Sequence, residues 1–269
     1  SFLESSIKNL VPNPNTLRDM EKTTLRLLKA INENERIGIF GDYDVDGASS
    51  TAIIGNYFKT IKQDFEIYIP DRRSEGYGPS IKSFQNLINK KVDLIITVDC
   101  GTMSFDAIDF ANENKVDVIV LDHHQSELNL PKAHSIINPN RFDDESKLNY
   151  LCAAGVCLMF LIALNKKLRE SKWFDNNNIK EPNLINYLDL VSLGTVCDVV
   201  PLIGLNRTIV SQGLKIINKI SNPGIKTLKN ICGIESNLNT YHLGYIIGPR
   251  INAGGRVGKC SHGANLLLS

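Results

Sequence analysis

The segment Phe40-Gly-Asp-Tyr-Asp-Val-Asp-Gly47 places three carboxylates at alternate positions directly after the apolar run Arg36-Ile-Gly-Ile-Phe40. Alternate side chains of an extended chain point the same way, so Asp42, Asp44 and Asp46 are expected to converge. Carboxylates that converge repel one another and raise one another's pKa, and bound divalent cations remove that repulsion. The segment therefore predicts half of a metal site.

Three further apolar runs lead into side chains that bind metals. Residues 92–98 lead into Asp99. Residues 116–121 lead into Asp122, His123 and His124. Residues 190–196 lead into Cys197 and Asp198. Short β-branched runs that alternate with helical stretches predict a parallel α/β sheet, whose ligands bind beyond the carboxyl ends of the strands. Imidazole with carboxylate suits Mn²⁺, with Mg²⁺ or Zn²⁺ as competitors. A single Asp after a strand is more often a helix cap or a turn residue, but the four pieces together favour a metal site.

The pattern of apolar and polar residues predicts an α/β fold with a roughly five-stranded parallel sheet flanked by helices. The predicted strands are 36–40, 65–69, 92–98, 116–121 and 135–137. The predicted helices are 15–33, 48–60, 80–90, 103–114 and 151–169, and residues 70–79 form a polar, glycine-rich loop. We expect an N-terminal helical segment (1–35), a catalytic α/β domain (36–200), and a basic helical segment that begins a connecting helix (201–269).

Composition narrows the class of protein. The chain has 269 residues, 42% of them hydrophobic, and no run of about 18 apolar residues that could span a membrane. Its first residues lack a signal-peptide pattern, and its six cysteines are scattered without paired spacing. These features predict a cytoplasmic protein with reduced cysteines that does not act at a membrane.

Charge is distributed unevenly along the chain. Residues 201–269 contain eight basic residues and one acidic residue, a net charge of +7, whereas residues 1–200 contain 22 basic and 28 acidic residues, a net charge of −6. Each lysine of the helix 209–220, taken singly, is more simply explained as part of a solvated helix face. The segment as a whole favours binding of a polyanion.

The ordered motifs resemble those of the DHH phosphoesterases, and within them those of the RecJ-like branch of single-strand-specific exonucleases. The motifs are Asp-Tyr-Asp-Val-Asp-Gly, Val-Asp-Cys-Gly, Leu-Asp-His-His, Asp-Val-Val-Pro-Leu and Gly248-Pro-Arg-Ile-Asn-Ala-Gly-Gly-Arg256. The resemblance begins at about residue 36 and runs to the C-terminus. It implies a 5′-to-3′ exonuclease of DNA repair and recombination whose substrate is single-stranded DNA with a 5′ end. It also suggests a single-strand-binding protein or a helicase as a protein partner.

The resemblance further implies roles for individual residues. Two Mn²⁺ ions, or Mg²⁺ in their place, would be held by Asp44, Asp46, Asp99, His123 and Asp198, with Asp42 as an additional candidate. His124 would lie close to the scissile phosphate and act together with Asp46 and Asp99. Arg72 and Arg256 would bind the 5′-phosphate, and Arg250 of the same last motif is a further phosphate-binding candidate.

Several features depart from the pattern or leave alternatives. Phe40 stands where the pyrophosphatase branch of the superfamily has a metal-binding His, which disfavours a pyrophosphatase. Ala-Gly-Gly-Arg replaces the usual Ala-Ala-Gly-Arg. RecJ-like proteins continue into a second domain that closes over the site, and this chain is expected to hold the catalytic domain alone. An oligoribonuclease or cyclic-dinucleotide phosphodiesterase is the alternative within the same chemistry, and a non-catalytic replication scaffold is the alternative of another class.

Overall fold

The computed structural model describes residues 11–72, 74–219, 222–257 and 259–268. The side chains of residues 255–257 are outside this description. Of the candidate site residues, Arg256 is affected, because only its backbone is described.

One sheet organises the molecule. Its strands are β1 (Ile37–Gly41), β2 (Phe65–Tyr68), β3 (Leu94–Val98), β4 (Asp117–Leu121) and β5 (Ser135–Ile137). All neighbours pair in parallel, in the order β2-β1-β3-β4-β5. These are the five predicted strands, so the predicted fold class is confirmed. The strand order reverses between β1 and β3, and a crevice opens beyond the carboxyl ends of the strands at such a switch point.

Helices cover both faces of the sheet. They are α1 (Met20–Asn32), α2 (Val45–Ile61), α3 (Ile81–Asn89), α4 (Phe105–Glu113), α5 (Ala153–Glu170), α6 (Trp173–Asn176), α7 (Leu188–Cys197), α8 (Gly204–Lys219), α9 (Pro223–Ile231), a π-helix (His242–Ile247), α10 (Gly248–Val257) and α11 (His262–Leu267). Successive strand residues face opposite sides of a sheet. In β3, Leu94 and Ile96 accordingly pack in the larger core, with α1, α2, α5 and the C-terminal helices, whereas Ile95 packs in a smaller core with α3 and α4.

Two predicted boundaries are wrong for local reasons. The helix predicted from residue 15 is interrupted, because Asp19 has a left-handed backbone (φ 62°) between a 3-10 turn at Pro14–Thr16 and α1. Helix α2 begins at Val45, three residues earlier than predicted, because Asp44 caps it.

The apolar run 190–196 resembles the strand-forming runs in sequence, but it forms helix α7, so the prediction of a strand end before Asp198 is wrong. Residues Leu188–Thr195 are all buried, since α7 packs against α2, α5 and α8. A helix buried on every side carries a continuous apolar sequence, which periodicity cannot distinguish from a central strand. Asp198 therefore follows a helix and not a strand.

The side chain of Phe40 lies away from the carboxylates that follow it. Its ring stacks on Tyr68, with centroids 5.7 Å apart, and meets Phe84 edge-on at 5.8 Å. All of its surface is buried, in the smaller core. Phe40 thus serves packing in this chain.

Among the described helices, none is long and apolar enough to cross a bilayer. In the described part of the chain the six cysteines form no disulfide, and Cys100, Cys152, Cys157 and Cys260 are buried. Burial raises the pKa of the Cys100 thiol well above its ordinary value. These residues act as small core side chains.

Helices α7 and α8 touch at a position that only glycine can fill. A Cβ on Gly213 would lie 1.7 Å from Ser192 Oγ and 2.2 Å from the Leu188 carbonyl oxygen. We expect Gly213→Ala to lower the free energy of unfolding by about 3 kcal/mol, the upper end of typical overpacking costs. Urea denaturation followed by circular dichroism measures it.

Gly254→Ala is the matched control, because the one described atom that a Cβ there would meet is His262 Cβ, at 3.9 Å. It should be neutral or stabilise the protein by up to about 1 kcal/mol through helix propensity. Equal losses in both variants would contradict the close approach of α7 and α8.

Candidate metal centre

The acidic loop after β1 turns directly into a helix. Asp44 is the N-cap of α2, and its Oδ1 accepts a hydrogen bond from the Gly47 amide at 2.9 Å. Asp46 lies in the first turn of that helix. The premise that the chain stays extended through Asp42, Asp44 and Asp46 is therefore wrong, and the expected role of an isolated Asp as a helix cap holds for Asp44. The carboxylates nevertheless reach the switch point, because the turn carries them across the end of β1.

Asp99 follows β3 with a left-handed backbone, φ 61°. Its side chain is 1% exposed, and neither carboxylate oxygen has a hydrogen-bond partner among the described residues. Strained backbone and unsatisfied buried charge both cost free energy, and such costs concentrate at functional sites.

Asp46 is equally buried but has partners. Its Oδ2 and Oδ1 accept hydrogen bonds from the amides of Ala153 (2.6 Å) and Ala154 (3.0 Å), at the N-terminus of α5. Those amides and the positive end of the helix dipole favour the ionised form. Gly194 of α7 permits this placement, since a Cβ there would lie 2.5 Å from Asp46 Oδ1.

His123 lies at the centre of the cluster. Its Nε2 atom is 3.3 Å from Asp99 Oδ1, 3.6 Å from Asp198 Oδ2 and 3.8 Å from Asp46 Oδ2. That nitrogen is buried and has no hydrogen-bond partner among the described residues. Asp198 is the C-cap residue of α7, so the helix end brings its carboxylate to the site.

Candidate ligand atoms form groups compact enough for a metal ion. One group is Asp42, Asp44 and Asp99, and a second is Asp46, His123 and Asp198. Asp99 and His123 also form a group with His124. Within each group the ligand atoms lie within 4.8 Å of one another. All of the proposed metal ligands thus converge at one edge of the sheet.

Asp122 supports the two histidines. Its Oδ1 accepts hydrogen bonds from the amides of His123 (2.7 Å) and His124 (3.2 Å) and lies 2.8 Å from His124 Nδ1, while its Oδ2 accepts one from the Thr102 amide (3.0 Å). Burial alone would raise the pKa of Asp122, but the bond to His124 and those from Thr102 outweigh it, and the pKa is lowered. Asp122 is therefore an ionised residue that orients His124.

The pKa values of the two adjacent histidines are shifted in opposite directions. The hydrogen bond to Asp122 raises the pKa of His124 to about 9, whereas burial lowers the pKa of His123 to about 4. His123 is neutral at pH 7, as a metal ligand must be, and His124 is a cation. The Nε2 of His124 lies 3.3 Å from the hydroxyl of Tyr77, which in turn donates to the Asp99 carbonyl.

Burial and repulsion from neighbouring carboxylates raise the pKa values of four candidate ligands, Asp42, Asp46, Asp99 and Asp198. The pKa of Asp42 is raised to about 7, that of Asp46 to about 8 and that of Asp198 to about 6, in each case mainly by burial and then by neighbouring carboxylates. The pKa of Asp99 is raised for the same reasons. Divalent cations would relieve this repulsion and would satisfy the unpaired atoms of Asp99 and His123. The residues therefore fit a centre for Mn²⁺ or Mg²⁺ with carboxylate and imidazole ligands.

Arg72 lies at the Asp42 side of the cluster. Its guanidinium carbon is 5.2 Å above the centre of the Tyr43 ring, a cation–π contact, and its backbone amide donates to Cys260 Sγ at 3.4 Å. Its charge lowers the pKa of Asp42, although burial outweighs it. The exposed Arg250 donates to the carbonyl of Ile246 at 2.7 Å, within its own helical segment. The side chain of Arg256, as noted, is not described.

Sequence reasoning missed Tyr43, Tyr77 and Gly194, and it treated Asp122 only as a motif residue. Tyr43 and Asp122 stand inside recognised motifs, but their contacts depend on how the loops fold back. The Gly76-Tyr-Gly78 spacing in the polar loop is the one signal that could have singled out Tyr77, because glycines with φ of 83° and 75° flank it.

Known proteins resemble the chain in sequence and in fold. A profile of the DHH family, N-terminal domain, matches residues 36–195. The single-stranded-DNA-specific exonuclease RecJ of Escherichia coli is 39% identical over 99% of this chain, which covers 46% of that protein. The chain thus spans about half the length of the curated relatives it matches.

Solved structures of RecJ exonucleases also resemble the chain in fold. A crystal structure of exonuclease RecJ bound to manganese superposes with a TM-score of 0.82 at 32% identity, over 96% of this chain and 62% of that one. RecJ from Thermus thermophilus in complex with Mg²⁺ superposes with a TM-score of 0.67 at 28% identity, over 99% of this chain and 33% of that one.

The unpartnered carboxylate of Asp99 gives a test of the metal centre. Because its folded-state pKa is raised above the ordinary 3.8, ionisation of Asp99 costs the folded apoprotein stability as the pH rises above that value. We expect Asp99→Asn in EDTA to melt several degrees above the wild type at pH 8, with the difference shrinking toward pH 4. Thermal denaturation followed by circular dichroism measures it.

Added Mn²⁺ should reverse the order of the two melting temperatures, so that the wild type melts above Asp99→Asn. At 100 times its dissociation constant a bound ion stabilises the wild type by about 2.7 kcal/mol, and Asp99→Asn should gain far less. If the variant were less stable than the wild type in EDTA, Asp99 would be a structural residue.

Proposed function

The chain belongs to the DHH family, and from this premise and the geometry of the metal centre we propose that it is a metal-dependent exonuclease that removes nucleotides from the 5′ end of single-stranded DNA. The observation that carries the proposal is the meeting of two ligand groups at the buried, unpaired Asp99 and His123, with Arg72 beside one of them. The similarity to RecJ exonucleases supports the activity and the substrate class, and the direction is the one that the resemblance of the motifs implies.

We propose two ions, one in each ligand group. Asp42, Asp44 and Asp99 would hold one, and Asp46, His123 and Asp198 the other, with Asp99 and His123 at the boundary between the groups. When bound, such cations supply a water of lowered pKa and neutralise charge on phosphoryl oxygens. In the RecJ neighbours the ions are Mn²⁺ and Mg²⁺.

The protein's own residues position and stabilise the reacting phosphate. His124, kept cationic and oriented by Asp122, can donate a hydrogen bond from Nε2 to a non-bridging oxygen as negative charge develops. Tyr77 holds that nitrogen in the absence of substrate. A cleft of about 750 Å³ beside His124, lined by Tyr77, Ile81 and Met103 among others, has room for a nucleotide.

Arg72 gives the site its polarity. The guanidinium of Arg72 stacks on the ring of Tyr43. Because Tyr43 lies between Asp42 and Asp44 in the sequence, the guanidinium N–H groups lie near these two proposed metal ligands. Arginine binds a phosphate with two parallel hydrogen bonds, and a terminal phosphate offers more charge than an internal one. We therefore assign the 5′-phosphate to Arg72, together with Arg256 of the last motif.

Digestion of 5′-phosphorylated single-stranded and double-stranded DNA with Mn²⁺ tests the proposal. We expect mononucleotides from the single strand and little from the duplex, and no product with Asp46→Ala, which should remain folded by circular dichroism. Products released from the 3′ end, or hydrolysis of pyrophosphate alone, would contradict the proposed function.

Arg72→Ala tests end recognition separately. Hydrogen bonds to charged groups contribute roughly 1.5–3 kcal/mol, so kcat/KM for a 5′-phosphorylated oligonucleotide should fall about tenfold to a hundredfold. Turnover of the same strand with a 5′-hydroxyl should change little, because it lacks the terminal phosphate. The ratio of the two rates is the measurement.

Tyr43→Phe and Lys219→Ala are the controls. The first keeps the ring under Arg72 and should keep the preference for a 5′-phosphate, whereas Tyr43→Leu should lose part of it. The second removes one exposed charge far along the chain and should mainly change the salt dependence. Equal losses on both substrates in Arg72→Ala would make Arg72 a general backbone contact.

A further inference from the structure

Tyr241, the residue before the π-helix, and Tyr245, within it, form an exposed aromatic stack. The rings of Tyr241 and Tyr245 lie 5.4 Å apart at an interplanar angle of 25°. Tyr241 is 60% exposed and Tyr245 is 74% exposed. Large aromatic side chains are rarely left this open in pairs, and an exposed apolar patch of this kind marks a binding surface.

The stack is fixed to the end of α7 that carries Asp198. Cys197 Sγ lies 3.4 Å from the carbonyl oxygen of Leu243, and Val196 Cγ1 lies 3.4 Å from where a Cβ of Gly244 would stand. Cys197 immediately precedes Asp198, and Gly244 immediately precedes Tyr245. Because consecutive Cα atoms are about 3.8 Å apart, these two contacts place the backbone of the π-helix close to Asp198 of the second ligand group. π-helical turns of this sort are frequent at functional sites.

Arg72 adjoins Asp42, in the first ligand group, whereas α7 and the π-helix adjoin the second group through Asp198. In an exonuclease that holds the 5′-phosphate at Arg72, the continuing strand lies on the 3′ side of the scissile phosphate.

Exposed basic side chains belong to the segments next to the stack. Arg250 donates to the Ile246 carbonyl, which places its exposed guanidinium next to Tyr245 along the chain. The C-terminal part of α8, with the exposed Lys215 and Lys219, is joined to the start of this segment by hydrogen bonds between Asn218 and the backbone of Leu238. Aromatic faces beside positive charges match a single nucleic acid strand, which presents bases and phosphates together.

We propose that Tyr241 and Tyr245, with Arg250 beside them, form a stacking platform for the bases on the 3′ side of the scissile phosphate. The proposal rests on the proposed function, since that function defines which end of the strand lies at Arg72. It assigns recognition of the continuing strand to stacking, which tolerates any base sequence. Base stacking also disfavours a duplex, whose bases are already stacked on one another.

The test compares two strands that carry equal charge. One is 5′-phosphorylated oligodeoxythymidylate of twelve nucleotides, and the other keeps the first two thymidines but has abasic residues beyond them. Binding of 3′-fluorescein-labelled strands is measured by fluorescence anisotropy in EDTA, which prevents hydrolysis. We expect the wild type to bind the complete strand between about 5-fold and 100-fold more tightly.

The variant Tyr241→Ala/Tyr245→Ala should bind both strands equally, whereas Tyr241→Phe/Tyr245→Phe should keep the wild-type preference. Arg250→Ala should weaken binding to both strands alike and reduce the slope of log K against log salt by about 1. The rescue by phenylalanine separates stacking from misfolding, and thermal denaturation checks each fold.

Retention of the preference in the alanine variant would overturn the platform. A change in oligomeric state by sedimentation, with the preference intact, would likewise overturn it and make the stack a contact between copies of this chain. If the wild type shows the preference but hydrolyses neither strand with Mn²⁺, the proposed function fails while the platform stands. If the wild type hydrolyses the strand but shows no preference, the platform alone fails.

Discussion

Mutual repulsion among buried carboxylates is the constraint on which the rest of the structure depends. The reversal of strand order brings the loops after β1 and β3 to one crevice, and α7 brings Asp198 to the same place. The fold satisfies some of these charges itself: the amides of α5 bind Asp46, and the Gly47 amide binds Asp44. Among the described residues, it leaves the carboxylate oxygens of Asp99 and the Nε2 atom of His123 without a hydrogen-bond partner. In the proposed function, bound cations would recover the free energy lost at these donor atoms.

Local sequence could predict the sheet and most of the site, and it failed where tertiary contacts decide. The five strands were predictable because each is a short β-branched run between helical stretches. Helix α7 was not, because complete burial erases the amphipathic pattern that identifies a helix. The convergence of Asp42, Asp44 and Asp46 was foreseen on a wrong premise, since Asp44 starts a helix. The roles of Tyr43 and Tyr77 arise from loops that fold back on the site, and no residue pattern encodes those contacts.

His123 and His124 illustrate how environment divides one residue type into two roles. Both follow β4, and both accept support from Asp122, but only His124 directs a ring nitrogen to its carboxylate. That bond keeps His124 protonated, while burial among candidate ligands keeps His123 neutral. A neutral imidazole can bind a metal and a cationic one can donate to a phosphate. In the proposed function, His123 is thus a metal ligand and His124 a hydrogen-bond donor to the phosphate, and the Asp122 carboxylate separates the two roles.

Each of the two candidate ligand groups is linked along the chain to a further contact. Tyr43 stands between two carboxylates of the first ligand group and bears Arg72, whereas Cys197 stands beside a carboxylate of the second group and contacts the π-helix. The segments that carry the candidate metal ligands therefore also carry the contacts to Arg72 and to the π-helix. A change in the position of β1 or α7 would move a candidate ligand and its neighbouring contact together. In the proposed function, this coupling would keep the spacing between a 5′ end held at Arg72 and the reacting phosphate constant.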